Sequence, residues 1–261
     1  MKKRFLIAGA SAVMVTLSLT VLNSKPVKAA KNAVDFMTYL SKNKSLTKGQ
    51  RSSARSAVKL LKTGRLGKKP KASWYNEYVD LHSNDDATSA KNIKAVLPYL
   101  DSVNRVRRNE GVRSLKVSPL LTAASMLNAD YQKRGSLKHT HYFKSIGLEN
   151  IATQSVGLDP VDTWFSEKKS WNYDVKKNHS LKPAKYSPTW TATYDAAVKG
   201  TNGYKMAGHY LNLINRNYRV MGFANVSNTG YGNADSYLGS SKGAGISVAK
   251  YKALVNAWAN K

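Results

Sequence analysis

The chain has 261 residues, with 42 Lys+Arg against 15 Asp+Glu and a formal net charge of +27. It contains no cysteine, which excludes a disulfide framework and a thiolate nucleophile. Its length allows one good hydrophobic core plus a smaller appendage, and its charge predicts binding to anionic polymers through counterion release.

The first 29 residues have the pattern of a secretory signal peptide. Basic residues 2–4 precede an apolar run, 5–22, and Val27 and Ala29 offer small side chains where a signal peptidase cleaves. A retained transmembrane helix is the alternative, because the run is nearly long enough to span a bilayer. Cleavage would remove five Lys+Arg and no acid, leaving 37 against 15 and a net charge of +22. For a secreted protein, the expected partners are an anionic cell-wall polymer or a membrane surface, and no nucleic acid.

Residues 30–72 predict a basic helical N-terminal region that ends in a linker. Between Lys31 and Lys71 there are twelve Lys+Arg and one acid. Apolar residues at helical spacing predict a short helix around 34–40 and a second over 50–61, with Thr47 as an N-cap. Two interpretations stay open at this point: a wall-binding basic module, or a solvated pair of helices.

Two stronger helices follow. Apolar residues between Ile93 and Arg108 keep the 3.6-residue period of an amphipathic helix, in which Pro98 marks a kink or a late start. Ser118-Pro119 is typical of an N-cap followed by proline at the first helical position, and it predicts a second helix through Tyr131.

The second half of the chain predicts shorter elements. Asp159-Pro160 begins a helix that contains Trp164, Glu167 and Trp171, and 172–205 is expected to be a long loop because it has little periodicity. A short helix starts near His209, a strand covers 218–224, and a last helix follows Ser247. The Gly/Asn/Ser-rich stretch 227–245 is expected to be a loop that could contain another strand. The order predicts the α+β class, a small antiparallel sheet covered by helices.

A dispersed set of His and Glu residues is the candidate site: His139 or His141, with Glu149, Glu167 and His209. Neutral imidazoles bind divalent transition metals, and carboxylates bind ions or orient the imidazoles. The same groups could act as general acids and bases. The alternative is that they are ordinary surface and capping residues with no ion bound.

Four short motifs occur in order along the chain: His139-Thr140, Glu149-Asn150-Ile151-Ala152, Trp164-Phe165-Ser166-Glu167, and Gly208-His209-Tyr210 with Gly222-Phe223-Ala224. In this order they resemble the CAP superfamily, the group of cysteine-rich secretory, antigen 5 and pathogenesis-related-1 proteins, also called SCP. The resemblance covers roughly 92–228. It extends back to about Trp74 when the chain is compared with secreted CAP proteins of lactic acid bacteria and with surface-exclusion proteins.

The resemblance implies an α-β-α sandwich with a large cleft that holds His139, Glu149, Glu167 and His209. It also implies a divalent cation there, zinc before others, with His139 and His209 as metal ligands. His141 is the alternative to His139. Leu148 separates Gly147 from Glu149, so the family's usual Gly-Glu pair is absent and the orientation of Glu149 is open.

The domain organisation expected on this basis is a signal peptide (1–29), a basic region with its linker (30–72), a CAP domain (73–230) and a C-terminal extension with a terminal helix (231–261). The expected function is that of a secreted CAP protein, held by positive charge at the wall of a Gram-positive bacterium. One alternative is a metal-assisted hydrolase of peptide or wall polymer, with Glu149 or Glu167 as the base. Another is a non-catalytic adhesion or interaction protein; a peptide, glycan or lipid remains open as ligand.

Overall fold

The structure, a computed structural model, describes residues 31–154 and 158–261. The predicted signal peptide, 1–29, lies outside the described residues. Among the residues described, no helix has the length and apolar character needed to cross a bilayer.

The described residues form helices on both sides of a small sheet. The helices are α1 (Ala33–Lys42), α2 (Lys48–Thr63), α3 (Tyr75–Tyr78), α4 (Ala90–Ala95), α5 (Leu97–Asn109), α6 (Pro119–Tyr131), α7 (Pro160–Ser166), α8 (Lys168–Lys177), α9 (Ala192–Lys199), α10 (Gly208–Ile214) and α11 (Val248–Ala259). Two 3-10 helices cover Gln132–Arg134 and His179–Lys185. The strands are β1 (Lys116–Val117), β2 (Leu148–Gln154), β3 (Val220–Thr229) and β4 (Gly232–Ser240).

The four strands lie in the order β1-β3-β4-β2. β3 pairs antiparallel with β4, and β4 with β2, whereas the two-residue β1 pairs parallel with β3. The predicted α+β class is therefore confirmed, with a mixed sheet in place of a purely antiparallel one. β4 lies between β2 and β3, so the segment 231–261, expected to be an extension, contributes a strand to the interior of the sheet.

Helix α6 packs directly against β3. Its predicted start is confirmed: the Ser118 hydroxyl accepts the backbone N–H of Leu121, and Pro119 occupies the first turn. A Cβ added to Gly222 of β3 would lie 2.2 Å from the backbone carbonyl carbon of Leu121. Only glycine permits so close an approach of helix and strand.

The basic N-terminal region packs into the main core. Thr47 caps α2 as predicted, its hydroxyl accepting from the N–H of Gln50 at 3.2 Å. Phe36 of α1 is fully buried, and its ring centroid lies 5.5 Å from that of Tyr251 and 5.1 Å from that of Trp258. The two ends of the described chain thus share one hydrophobic cluster, so α1 and α2 are packed on the domain and do not stand apart from it.

Three predicted elements differ from the observed ones. The helix expected to begin at Asp159-Pro160 and to contain Trp164, Glu167 and Trp171 is broken at Glu167 into α7 and α8. The helix expected over 93–108 is broken at Val96 into α4 and α5, close to the kink that Pro98 indicates. The prediction of a long loop over 172–205 is wrong, because α8, a 3-10 helix and α9 occupy most of this segment. These helices are too short to show a clear period in a Lys- and Asn-rich sequence. They are fixed by caps, Thr191 and Gly200 for α9, and by buried side chains such as Trp171 and Tyr194.

Candidate functional site

Glu149 and His139 form the first half of the site. The side-chain oxygen Oε2 of Glu149, on β2, lies 2.9 Å from Nδ1 of His139. Its other oxygen, Oε1, accepts a 2.9 Å hydrogen bond from the hydroxyl of Ser236 on β4. Glu149 pairs with Leu238, so Ser236 lies diagonally opposite it on the same face of the sheet. Both carboxylate oxygens of Glu149 are therefore engaged.

The loop that carries His139 is anchored to α6. The Thr140 hydroxyl donates a 2.8 Å hydrogen bond to Oδ1 of Asn128. The side-chain amide of Gln132 bonds both the N–H and the C=O of Lys138, at 3.0 and 3.1 Å. His139 is thus held on both sides, because its two neighbours in sequence are tied to the end of α6.

Glu167 and His209 form the second half. Glu167 lies at the junction of α7 and α8. Its Oε1 is 2.6 Å from Nδ1 of His209, and its Oε2 accepts the backbone N–H groups of His209 at 2.9 Å and of Tyr210 at 3.3 Å. A carboxylate at the start of a helix is favoured by unpaired N–H groups and by the helix dipole. Glu167 therefore fixes both the imidazole of His209 and the first turn of α10.

The two halves are joined through β2. Asn150, next to Glu149, donates its side-chain amide to the carbonyl of His209 at 3.0 Å. Trp164 donates its indole N–H to the carbonyl of Ile151 at 3.2 Å, and its ring lies 6.3 Å from the His209 ring at an interplanar angle of 28°. All four sequence motifs thus meet at β2 and α10, the first of them through the contact between His139 and Glu149.

A cavity of about 440 Å³ lies between the two pairs. His139, Glu149 and His209 line it, whereas Glu167 supports His209 without lining it. The rest of the cavity lining is largely apolar. Its apolar side chains are Phe143, Leu148, Trp190, Tyr194, Val198, Met206, Leu211 and Leu238. We call this cavity the His/Glu cleft.

His141 also lines the cleft, but it is held differently from His139. It is exposed, with a backbone φ of 55°, and its ring centroid lies 6.0 Å from that of His139. Within the described residues its side chain has no hydrogen-bond partner. The structure therefore pairs His139, and not His141, with the glutamate at 149.

The hydrogen bonds decide which imidazole nitrogen is free. A carboxylate only accepts hydrogen bonds, so Nδ1 of His139 and of His209 each carries the proton that is shared with Glu149 or Glu167. In a neutral imidazole the lone pair is then on Nε2. The cleft thus offers two nitrogens of metal-ligating type, each oriented by a carboxylate. Over the described residues, however, no three His, Cys, Asp or Glu side chains are grouped closely enough to hold a metal ion.

Next to α10, Glu110 forms a separate ionic cluster. It contacts Nζ of Lys168 at 2.6 Å and of Lys185 at 3.0 Å, and it accepts a 2.9 Å hydrogen bond from the Tyr210 hydroxyl. Burial raises the pKa of Glu110, but these three hydrogen bonds outweigh it and leave the pKa below its usual value. Burial, with the bond to Glu110, raises the pKa of Tyr210.

Sequence reasoning identified the four paired residues and missed Ser236. Trp164 and Tyr210, from the same motifs, are buried, at 1% and 0% exposed, and Asn150 bonds the backbone of His209. Ser236 lay in a stretch without a clear strand pattern, and only the register of β4 against β2 places it beside Glu149.

Residues 100–238, just over half of the chain, match the sequence model of the CAP family, described as the cysteine-rich secretory protein family. No curated protein matches the chain. The matched region begins within α5 and ends within β4, so it contains all four residues of the two His–Glu pairs.

Proposed function

The chain belongs to the CAP (cysteine-rich secretory protein) family, and we propose that it is a secreted member held at an anionic cell surface, with a cleft that binds a divalent cation. The cation ligands are Nε2 of His139 and Nε2 of His209. The surface is that of a Gram-positive cell, where wall polymers and lipid head groups supply the negative charge.

The pairing of each cleft histidine with a glutamate carries the cation proposal. A hydrogen bond from Nδ1 to a carboxylate fixes the tautomer that ligates through Nε2 and makes the ring a stronger donor, as in carboxylate–histidine–zinc triads. Zinc is commonly bound by imidazole nitrogens, whereas magnesium and calcium prefer oxygen ligands, so zinc is the ion we propose. Two protein donors are fewer than the three of catalytic zinc sites, so we expect weak binding with water or ligand at the remaining positions.

The same contacts argue for positioning roles for Glu149 and Glu167. The oxygens of Glu149 are occupied by His139 and Ser236, and those of Glu167 by the ring and backbone of His209. A general base needs a free oxygen within reach of the proton it abstracts. The hydrolase alternative, with either glutamate as base, is therefore less well supported than cation binding.

The distribution of charge supports retention at an anionic surface. Among the described residues, ion pairs with Asp or Glu engage Lys91, Arg105, Lys133, Lys168, Lys185, Lys199 and Lys252. Of the 42 Lys and Arg side chains, 42 − 5 = 37 lie in the part of the chain that the structure describes, and most of these 37 are outside such ion pairs. These side chains can release counterions from a polyanion.

Calorimetric titration with zinc tests the cation proposal. The mature protein should bind zinc at one site, and His139→Ala plus His209→Ala should lose that binding. His82→Ala plus His179→Ala is the matched control, because it removes two exposed imidazoles and should leave zinc binding unchanged. Equal binding by all three proteins would contradict the proposal.

Retention on purified Gram-positive cell walls, measured against salt, tests the surface proposal. Screening shortens the Debye length from about 10 Å at 0.1 M to about 3 Å at 1 M salt. We expect release of the protein as salt rises through this range. Retention that does not depend on salt would contradict an electrostatic attachment.

A further inference from the structure

A second groove lies next to the His/Glu cleft. Its volume is about 710 Å³, and it runs between α2, the segment 144–148 and the turn that follows β4. It shares six lining residues with the cleft: Lys144, Gly147, Leu148, Pro188, Trp190 and Asn215. The two cavities are therefore neighbours along one continuous surface, which suits an extended ligand better than a single small molecule.

The lining of this groove is rich in hydroxyl and amide groups. It includes Ser52, Ser53, Ser56, Ser118, Ser145, Ser240 and Ser241, with Asn215 and Asn217. Lys144 and Lys242 are its only charged residues among those described, and no Asp or Glu lines it. The groove thus offers hydrogen-bond donors and positive charge, with no carboxylate that would repel an anion.

Several of these polar groups are free to bind a ligand. Ser52, Ser56 and Ser241 are exposed, as are the two lysines. Within the described residues, their side chains form no hydrogen bond or ion pair to other residues. By contrast, Ser53 accepts the backbone N–H of Leu120 at 3.1 Å, so the groove combines fixed and available hydroxyls.

Trp190 stands where the groove meets the cleft. It is 62% exposed, yet its ring is supported edge-on by Tyr194, with centroids 5.1 Å apart and planes at 85°. A large aromatic ring that is held in place offers contact area at low cost in conformational entropy. The C–H faces of sugar rings stack on such surfaces, while their hydroxyls need hydrogen-bond partners on either side.

From this arrangement we propose that the groove binds the chain of an anionic polysaccharide, with one sugar ring stacked on Trp190. The serine hydroxyls bond to sugar hydroxyls, and Lys144 and Lys242 pair with carboxylate or sulfate substituents. The proposal rests on the proposed retention at an anionic surface and names the chemistry of the polymer. A membrane surface fits less well, because the groove is concave and carries many hydroxyl and amide groups between its apolar residues.

The test uses alginate and hyaluronan oligosaccharides as anionic sugar probes. Poly-L-glutamate serves as an anionic chain without sugar, and phosphatidylglycerol vesicles serve as a membrane probe. Binding to the mature protein is measured at about 0.1 M and about 0.5 M NaCl, because the higher salt weakens purely electrostatic attachment. Trp190→Ala is compared with Tyr173→Ala, a control that removes an exposed ring outside both cavities.

We expect at least one sugar probe to bind at the higher salt, and Trp190→Ala to weaken that binding about tenfold, as truncation of a central tryptophan does. Tyr173→Ala should change it less than about twofold, and polyglutamate should lose its binding. If neither sugar probe depends on Trp190, or if only vesicles do, the groove proposal is wrong. Charge-dependent binding at low salt would still support surface retention in that case, whereas no binding of any polyanion at low salt would overturn both.

Discussion

Oε1 of Glu167 lies 2.6 Å from Nδ1 of His209, while Oε2 of the same carboxylate accepts the backbone N–H of His209 at 2.9 Å. The Glu167 side chain therefore fixes both the backbone position of His209 and the orientation of its ring. His139 is oriented by a carboxylate in the same manner. In both rings of the cleft, Nδ1 lies at hydrogen-bond distance from a glutamate carboxylate.

Replacement of Glu167 by Gln should weaken the second pair. The side-chain amide of Gln has one acceptor oxygen and one NH2 donor group in place of two acceptor oxygens. The NH2 group must therefore face either the ring N–H or the backbone N–H groups from which the carboxylate accepts hydrogen bonds. We expect the free energy of unfolding to fall by about 1–3 kcal/mol and zinc affinity to fall about 10–100-fold.

Urea unfolding and zinc titration of Glu167→Gln measure these effects. Glu77→Gln is the matched control, because Glu77 is exposed and remote from the cleft residues in sequence. Loss of stability without loss of zinc affinity would show that Glu167 supports the fold and does not tune the cation site.

Substitutions at His141 and His139 should have different effects. His141 has a φ of 55°, a conformation that glycine adopts without strain and that β-branched residues avoid. His141→Gly should keep both stability and zinc binding, and His141→Val should cost about 1–2 kcal/mol of stability. His139→Ala should lose zinc binding. Loss of zinc binding in His141→Gly, with binding kept in His139→Ala, would reverse the assignment.

The close contact between α6 and β3 predicts a sharp difference between two glycines. A Cβ at Gly222 would lie 2.2 Å from backbone of Leu121, whereas one at Gly230 meets no atom within 4 Å. Gly222→Ala should lower the free energy of unfolding by about 1–3 kcal/mol or more. Gly230→Ala should change it by less than about 0.5 kcal/mol. Equal effects in chemical denaturation would contradict the observed packing.

Glu110 should contribute to stability in a pH-dependent way. Although burial acts in the opposite direction, the bonds from Lys168, Lys185 and Tyr210 lower its pKa in the folded state. An acid whose folded pKa is depressed stabilises the fold above its unfolded pKa, and that contribution is lost as the pH falls through the folded pKa. The unfolded value is about 4.5.

The stability difference between the wild type and Glu110→Gln should therefore be full at pH 7 and shrink as the pH falls below about 4.5. Urea unfolding at a series of pH values measures it, with Glu77→Gln as the control that should show little difference at any pH. If the difference in free energy of unfolding between the two proteins stays constant down to pH 3, Glu110 acts through packing and not through its charge.

Local sequence signals predicted much of the framework. Caps at Thr47, Ser118 and Asp159 mark the starts of three helices, because a side chain that bonds free N–H groups acts within a few residues. Pro98 similarly indicates the break between α4 and α5. The four residues of the His–Glu pairs were found because ordered motifs in the sequence resemble those of the CAP family.

The features that were missed depend on contacts between distant residues. β2 was not recognised because Leu148–Gln154 becomes a strand by pairing with β4, some eighty residues later. Ser236 reaches Glu149 only in that register. The serine-lined groove joins α2 to the turn after β4, and no local pattern relates those segments. The motifs can thus be recognised in short stretches of the sequence, whereas the contacts and cavities between distant segments arise only from tertiary packing.

We propose that Nε2 of His139 and Nε2 of His209 bind one cation in the cleft. Anomalous diffraction at the zinc absorption edge, on crystals of the mature protein soaked in zinc, locates such an ion. We expect a single peak in the cleft about 2.0–2.1 Å from Nε2 of both histidines, with Nδ1 still bonded to Glu149 and Glu167. A peak on His141, a peak on Nδ1, or zinc bound only outside the cleft would contradict it.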